Sequence, residues 1–396
     1  MPDATQLAYS MFQFRHLPPL SLYVHIPWCV RKCPYCDFNS HEVKDSIPEM
    51  AYVDALLRDL EQDLPRVWGR RVLSVFIGGG TPSLFSAVAL DRLLSGLRAR
   101  LAINADAEIT LEANPGTAEQ GRFTEYRALG INRLSIGVQS FHDDALQRLG
   151  RIHGRDEAIR AAEMAHSAGF DNFNLDLMFA LPQQTPVQAA EDVATAIDLE
   201  PTHISYYQLT LEPNTLFHAQ PPALPDNDLA WQMQQAGQQQ LAEAGYGQYE
   251  VSAYAQPKQQ CAHNLNYWQF GDYLGLGAGA HGKITDAAQQ NITRLAKCRH
   301  PQEYLDSAGT PQSIQSERVL TRNEVGLEFM MNALRLNAGF ETALFTTHTG
   351  QQLTLIDSAL RDAEEADLLE RTLKHIRPTE KGRRFLDDLL TLFVHS

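Results

Sequence analysis

Three cysteines, Cys29, Cys33 and Cys36, stand in the run HIPWCVRKCPYCDF (25–38) with C-x3-C-x2-C spacing. Three thiols this close cannot all pair with one another, so they suit metal or redox chemistry. A structural zinc site wants four closed ligands, usually from two separated knuckles. The nearest candidates for a fourth are His25 and His41, and Cys261 and Cys298 are remote. A redox pair of Cys33 and Cys36 would leave Cys29 without a role. An iron–sulfur cluster fits better. Thiolates suit such clusters, and three of them on a cubane leave one iron open to an outside ligand.

The remaining residues capable of chemistry fall at regular places. GGGTP occupies 78–82, and Glu112, Gln139, Asp176, Gln208 and Thr210 follow at intervals along the chain. Stepping outward, short β-branched or apolar runs cover 20–26, 72–77, 107–113, 133–138, 173–178 and 203–209. Amphipathic helical stretches such as MAYVDALLRDLEQDL and VQAAEDVATAIDLE lie between them. This alternation predicts βαβ units and a parallel sheet, either open and doubly wound or closed into an incomplete barrel. Every residue named above then sits at, or just past, the C-terminal end of a strand. That is the face on which parallel α/β folds build their sites.

After about residue 250 the pattern changes. CAHNLNYWQFGDYLGLGAGAHG reads as loop with short strands, and from about 310 the chain reads as helical again, ending in IRPTEKGRRFLDDLLTLF. A small, mainly helical domain of winged-helix type is expected there. Net charge is −15, from 33 basic and 48 acidic residues, so a large basic footprint for nucleic acid or anionic lipid is missing. No apolar run is long enough to span a bilayer, and the N-terminus lacks a signal-peptide pattern. Five cysteines, three of them clustered, do not make a secreted disulfide framework. A reduced, cytoplasmic location is expected, with any membrane association through partners and no direct insertion.

The cysteine spacing after a first strand, followed by GGGTP after the second, resembles the radical S-adenosylmethionine superfamily. The match extends through YVHIPWC, FIGGGTPS, LEANP, RLSIGVQSF, LGRIH, NLDLMFALPQQT and HISYYQLTLEP. In order, these resemble the motifs of oxygen-independent coproporphyrinogen III oxidase and of its paralogous haem-chaperone family. The resemblance covers most of 20–390. It implies an α/β fold, a partial (βα)6 TIM-like barrel over 20–300 that includes the haem-motif segment. A short N-terminal extension (1–19) and a small helical domain over 310–396 would flank it.

In that superfamily the amine and carboxylate of S-adenosylmethionine chelate the open iron, and the reduced cluster passes an electron to the sulfonium. Carried over to this chain, the resemblance implies that Cys29, Cys33 and Cys36 ligate a 4Fe-4S cluster. Tyr23, Tyr35, Gly79, Gly80, Thr81, Glu112, Gln139, Arg151, Asp176 and Thr210 would surround S-adenosylmethionine. Two departures separate the chain from the oxidase. Phe38 stands where the oxidase has a further cysteine, and only about twenty residues precede the first strand. HNLNYW (263–268) matches instead the HNxxYW motif of the chaperone family, making His263 a haem-site residue, with His281 as a second candidate. The resemblance therefore implies a haem chaperone serving membrane haemoproteins such as respiratory enzymes. A cluster that can control oligomerisation, with a homodimer as the expected assembly, belongs to the same reading. The alternative is a radical enzyme acting on a porphyrinogen. Cys261 and Cys298 read as plain thiols.

Overall fold

A computed structural model describes residues 12–116 and 122–394. The expected N-terminal extension therefore lies outside the described residues up to position 11. Six strands form the parallel heart of the molecule: β1 (Leu20–Ile26), β2 (Arg71–Gly79), β3 (Ala102–Ala113), β4 (Arg133–Gln139), β5 (Phe173–Phe179) and β6 (His203–Gln208). They neighbour one another in sequence order and all run parallel. Leu, Val and Ile fill their outward positions, where the crossover helices cover them, so each reads as a nearly continuous apolar run. The first crossover, α1 (Glu49–Val67), buries Tyr52, Val53, Leu56 and Leu60 against the sheet. The open, incomplete barrel expected from the sequence is present, and it continues at both ends.

The sheet grows beyond those six strands. Past β6 it adds the hairpin β7 (Gly247–Glu250) and β8 (Ala253–Ala255). On the other side, β9 (Asp272–Leu276) pairs parallel to β1. Antiparallel β10 (His281–Asp286), β11 (Asn291–Lys297) and β12 (Ile314–Val319) then complete a twelve-stranded sheet. The segment read as loop with short strands thus supplies a parallel strand of the barrel. Buried ion pairs anchor it: Asp272 meets Arg70 at 2.7 Å and Lys283 at 2.8 Å.

A second core gathers Val325, Phe329, Phe340, Phe345, Leu360 and Ile376, and Phe12 and Phe14 from the N-terminal segment join it. Its helices Arg322–Ala333, Thr342–Thr349 and Asp357–Glu365 match the helical reading. ERTLKHI does not. Asp367 takes φ +57° past the third helix, and Leu369–Arg371 pairs with His375–Pro378 as a hairpin. Leu369 and Ile376 are buried by the strand alternation, and Leu373 at the tip is fully exposed. A hairpin beside three helices is the winged-helix arrangement.

One buried cluster ties α1 to β11. Lys297 reaches Asp59 at 2.5 Å and Asp63 at 2.7 Å, and the Tyr304 hydroxyl donates to Asp59 at 2.6 Å. Replacing Lys297 by Ala leaves buried Asp59 without a cation, while Asp63 keeps only Arg66 at 3.2 Å. The expected loss is about 3–5 kcal/mol of stability, read as a lower denaturation midpoint. An unchanged midpoint would mean that the carboxylates are neutral in the native protein.

Candidate cofactor site

Inward-facing residues alternate along each strand, so Glu112, Ser135, Asp176 and Tyr207 share one interior. At the C-terminal ends of the strands they line a cavity of about 510 Å³. Cys29, Cys33 and Cys36 stand on its wall, all half-buried, with Tyr35 beside them. The cysteine loop is held locally. Trp28–Cys29 pairs with His41–Glu42, and Cys36 N–H donates to the Cys33 carbonyl at 3.2 Å. Burial pushes the Cys29 thiol up to about 11 and raises Cys36.

The glycine run earns its residue type through close approach. Gly80 N–H donates to the Ile26 carbonyl at 2.8 Å, and Thr81 N–H to the Trp28 carbonyl at 2.7 Å. A Cβ on Gly80 would lie 2.5 Å from the Trp28 carbonyl oxygen. Gly79 has φ +117° and donates to Glu112 Oε2 at 2.9 Å. Gln139 also holds a left-handed backbone, φ +71°, at a register shift between β4 and β5. Its side-chain oxygen accepts from the Tyr207 hydroxyl at 2.8 Å. Such strain in a side-chain-bearing residue collects at functional positions.

Arg151 closes the ring. Its guanidinium donates to Asn114 Oδ1 at 2.6 Å, to the Gly137 carbonyl at 2.7 Å and to Cys33 Sγ at 3.6 Å. Asn114 in turn donates to Thr81 Oγ1 at 2.8 Å. Thr210 lies exposed at the rim, its hydroxyl donating to Glu212. Sequence reasoning missed Asn114, Tyr207 and Arg133. The first two sit inside quoted motifs, LEANP and HISYYQL. Arg133 opens RLSIGVQSF, also quoted, at the start of its strand and away from the strand end that marks the site face.

The site is electrostatically unfinished. Burial raises Glu112 from 4.5 to about 8, with nearby Asp176 adding to the shift and the Gly79 N–H opposing it. Asp176 is raised by burial as well, against hydrogen bonds from Asn174 and Ser205. Two enclosed carboxylates that resist ionisation suit a ligand bearing positive charge. Among the described residues, no three His, Cys, Asp or Glu side chains converge as a single bound ion requires. Three thiols on one wall that do not converge suit a polynuclear cluster, whose ligands attach to separate metals.

The other expected residues lie apart from this cavity. Tyr23 lines a second cavity, of about 660 Å³, which shares Asp37, Phe38, Gly79 and Glu112 with the first. Its hydroxyl is 3.0 Å from His25 Nδ1. His263 lies on the helix Ala262–Trp268, which packs against β1, β2 and β9. Its Nδ1 is 3.0 Å from Ser74 Oγ, and its ring packs on Phe76 at 5.1 Å and Tyr267 at 4.9 Å. It is buried, lines neither cavity, and its Nε2 has no hydrogen-bond partner among the described residues. Burial lowers it to about 3. His281 is exposed at the rim of the second cavity. Cys261 is buried against Glu108, and the Cys298 thiol donates to the Gln312 carbonyl.

This fold, with three cysteines above a parallel barrel, defines a radical S-adenosylmethionine protein, and residues 23–196 match that superfamily. Membership implies a 4Fe-4S cluster and S-adenosylmethionine. Residues 320–385 match the HemN C-terminal domain. The heme chaperone HemW of Escherichia coli (strain K12) is 51% identical over 378 residues, covering 96% of this chain and 99% of its own. HemW of Bacillus subtilis (strain 168) is 32% identical, covering 94% and 99%. Mouse radical S-adenosyl methionine domain-containing protein 1, mitochondrial, is 35% identical, covering 93% and 86%. The chain belongs to the HemW family. Among solved structures, Escherichia coli coproporphyrinogen III oxidase (HemN), a radical SAM enzyme, superposes with a TM-score of 0.80 at 25% identity. That superposition covers 99% of this chain and 93% of the other.

Glu112 gives a pH test with a definite sign. The unfolded carboxyl ionises above its ordinary 4.5, while the folded one stays protonated to about 8. Stability of the ligand-free protein should therefore fall as pH rises between those values. Glu112→Gln keeps an acceptor for Gly79 N–H and removes the cost. Its melting temperature should exceed the parent's at pH 8, by about 1 °C per kcal/mol relieved, and match it at pH 4. The same variant should bind S-adenosylmethionine more weakly in calorimetry.

Proposed function

We propose that this protein is a haem chaperone on a radical S-adenosylmethionine frame. It holds haem, a 4Fe-4S cluster and S-adenosylmethionine, and passes haem to membrane haemoproteins such as respiratory enzymes. Phe38 carries the reading. It stands where the oxidase has its further cysteine, it is 57% exposed, and it borders both cavities. The name of the relatives, heme chaperone, supports the same conclusion. No described helix is long and apolar enough to cross a membrane.

In this reading Cys29, Cys33 and Cys36 are the protein ligands of the cluster. When bound and reduced, that cluster supplies a one-electron donor. Glu112 and Asp176 would meet the positive charge of S-adenosylmethionine, and opposite charge would lower the cost of ionising them. The Arg151 guanidinium donates to Cys33 Sγ and helps fix where that ligand stands. Gly79, Gly80, Thr81, Gln139, Tyr35 and Thr210 shape the remaining wall, and Tyr23 approaches from the far side of Glu112. His263 backs Tyr267 in the haem-motif helix.

Anaerobically reconstituted protein should show iron–sulfur absorbance, and a variant with all three cysteines replaced by Ala should not. Incubated with coproporphyrinogen III, S-adenosylmethionine and a reductant, the parent should yield no protoporphyrinogen IX. Loaded with haem, it should donate that haem to a membrane haemoprotein lacking it. Formation of protoporphyrinogen IX would instead establish the oxidase reading. His263→Ala should lower haem affinity, and unchanged affinity would remove His263 from the haem site.

A further inference from the structure

The second cavity has walls that the cluster site does not use. Tyr267, from the HNLNYW helix, packs edge-on against Tyr273 with ring centroids 4.4 Å apart. Phe38, which borders both cavities, adds a third apolar surface. One aromatic face with a second ring inclined to it at 67°, and a volume of about 660 Å³, suit one large planar ligand stacked on a single ring.

The imidazoles around this cavity differ in how far they are committed. Both nitrogens of His25 are engaged, Nδ1 by the Tyr23 hydroxyl and Nε2 by the Asn39 carbonyl. His263 lies behind Tyr23 and Tyr267, outside the wall. His281 is on the wall, exposed, and its ring makes no hydrogen bond to a described residue. A neutral imidazole is the form that donates to a metal. Arg299 also lines the cavity, and its guanidinium enters no ion pair with a described residue. A free imidazole, a free guanidinium and aromatic faces around one slot match the three parts of a metallated tetrapyrrole. These are its metal, its carboxylates and its plane.

We propose that haem occupies this second cavity, with His281 as axial ligand, Arg299 receiving a propionate, and Tyr267 and Tyr273 against the macrocycle. The assignment rests on the haem-chaperone reading and gives that reading a place. It makes Tyr267 the motif's contact with haem and His263 the ring that positions Tyr267. It also puts Asp37 and Phe38 between haem and the cluster, because they border both cavities.

Haemin titration of the full-length protein tests this, followed by absorbance and by electron paramagnetic resonance for the axial ligand. Parent protein should bind with a histidine-ligand signature. His281→Ala, a change at an exposed position that leaves the core intact, should weaken binding by about tenfold or more and lose that signature. Added free imidazole should restore it. Arg299→Ala should weaken binding with the signature kept. If His281→Ala binds haemin as the parent does, with the parent's signature, the site assignment is overturned while the chaperone reading stands. If the parent itself binds no haemin, the chaperone reading fails.

Discussion

One contact between two backbones sets the geometry of the site. Gly80 lies so close to Trp28 that no side chain fits between them, and its N–H is spent on the Ile26 carbonyl. The end of β2 is thereby fixed against the end of β1, at the point where the cysteine loop begins. From there a relay of polar contacts runs around the barrel rim. Thr81 reaches the Cys29 thiol on one side and accepts from Asn114 on the other. Asn114 accepts from Arg151, and Arg151 reaches Cys33. The path leaves the cysteine loop, crosses the ends of β2 and β3, and returns to the same loop. Thiols held in this way need little rearrangement to receive a cluster.

The same rim accepts local costs for its shape. Gln139 adopts a backbone conformation that glycine would adopt more readily, and the Tyr207 hydroxyl fixes where its amide lies. Glu112 and Asp176 are enclosed together, each held above its ordinary carboxylate range. Arg133 and Arg151 oppose the shift at Asp176 without cancelling it. Such features lower stability when no ligand is present, and they are what a cationic ligand would relieve.

Much of this was legible in the sequence because a parallel barrel obeys two simple periods. Alternation of strand and helix gives the order of β1–β6, and the end of each strand marks the site face. Glu112, Gln139 and Asp176 could therefore be placed on one rim before any contact was known. What sequence left hidden depends on contacts between distant segments. DYLGL is five residues long and bounded by glycines, so nothing local marks it as parallel to β1. Its place comes from Asp272 finding Arg70 and Lys283 in the interior. LERTLK is mostly strong helix formers, yet Leu369 and Ile376 are buried only in the strand period. Tyr23 illustrates a finer limit. Strand alternation says that it points inward, but not on which side of Glu112 it finds its cavity.

In the proposed assignment the family signature and the ligand position part. The helix Ala262–Trp268 is pinned at its start by Glu108, which accepts from the backbone N–H groups of Ala262 and His263 at 3.0 and 3.1 Å. Glu108 belongs to β3, the strand that carries Glu112. The helix is thus joined to the barrel through His263, whose ring is wedged among Tyr23, Phe76 and Tyr267. For that imidazole to take and release a metal, three packed rings would have to part each time. Buried packing of this kind opens only at a cost approaching that of local unfolding. A chaperone must let its cargo go, and release rate is where binding strength is mostly tuned. A ligand at the rim of an open cavity meets that requirement without disturbing the core. A wedged histidine serves better by holding Tyr267 in place.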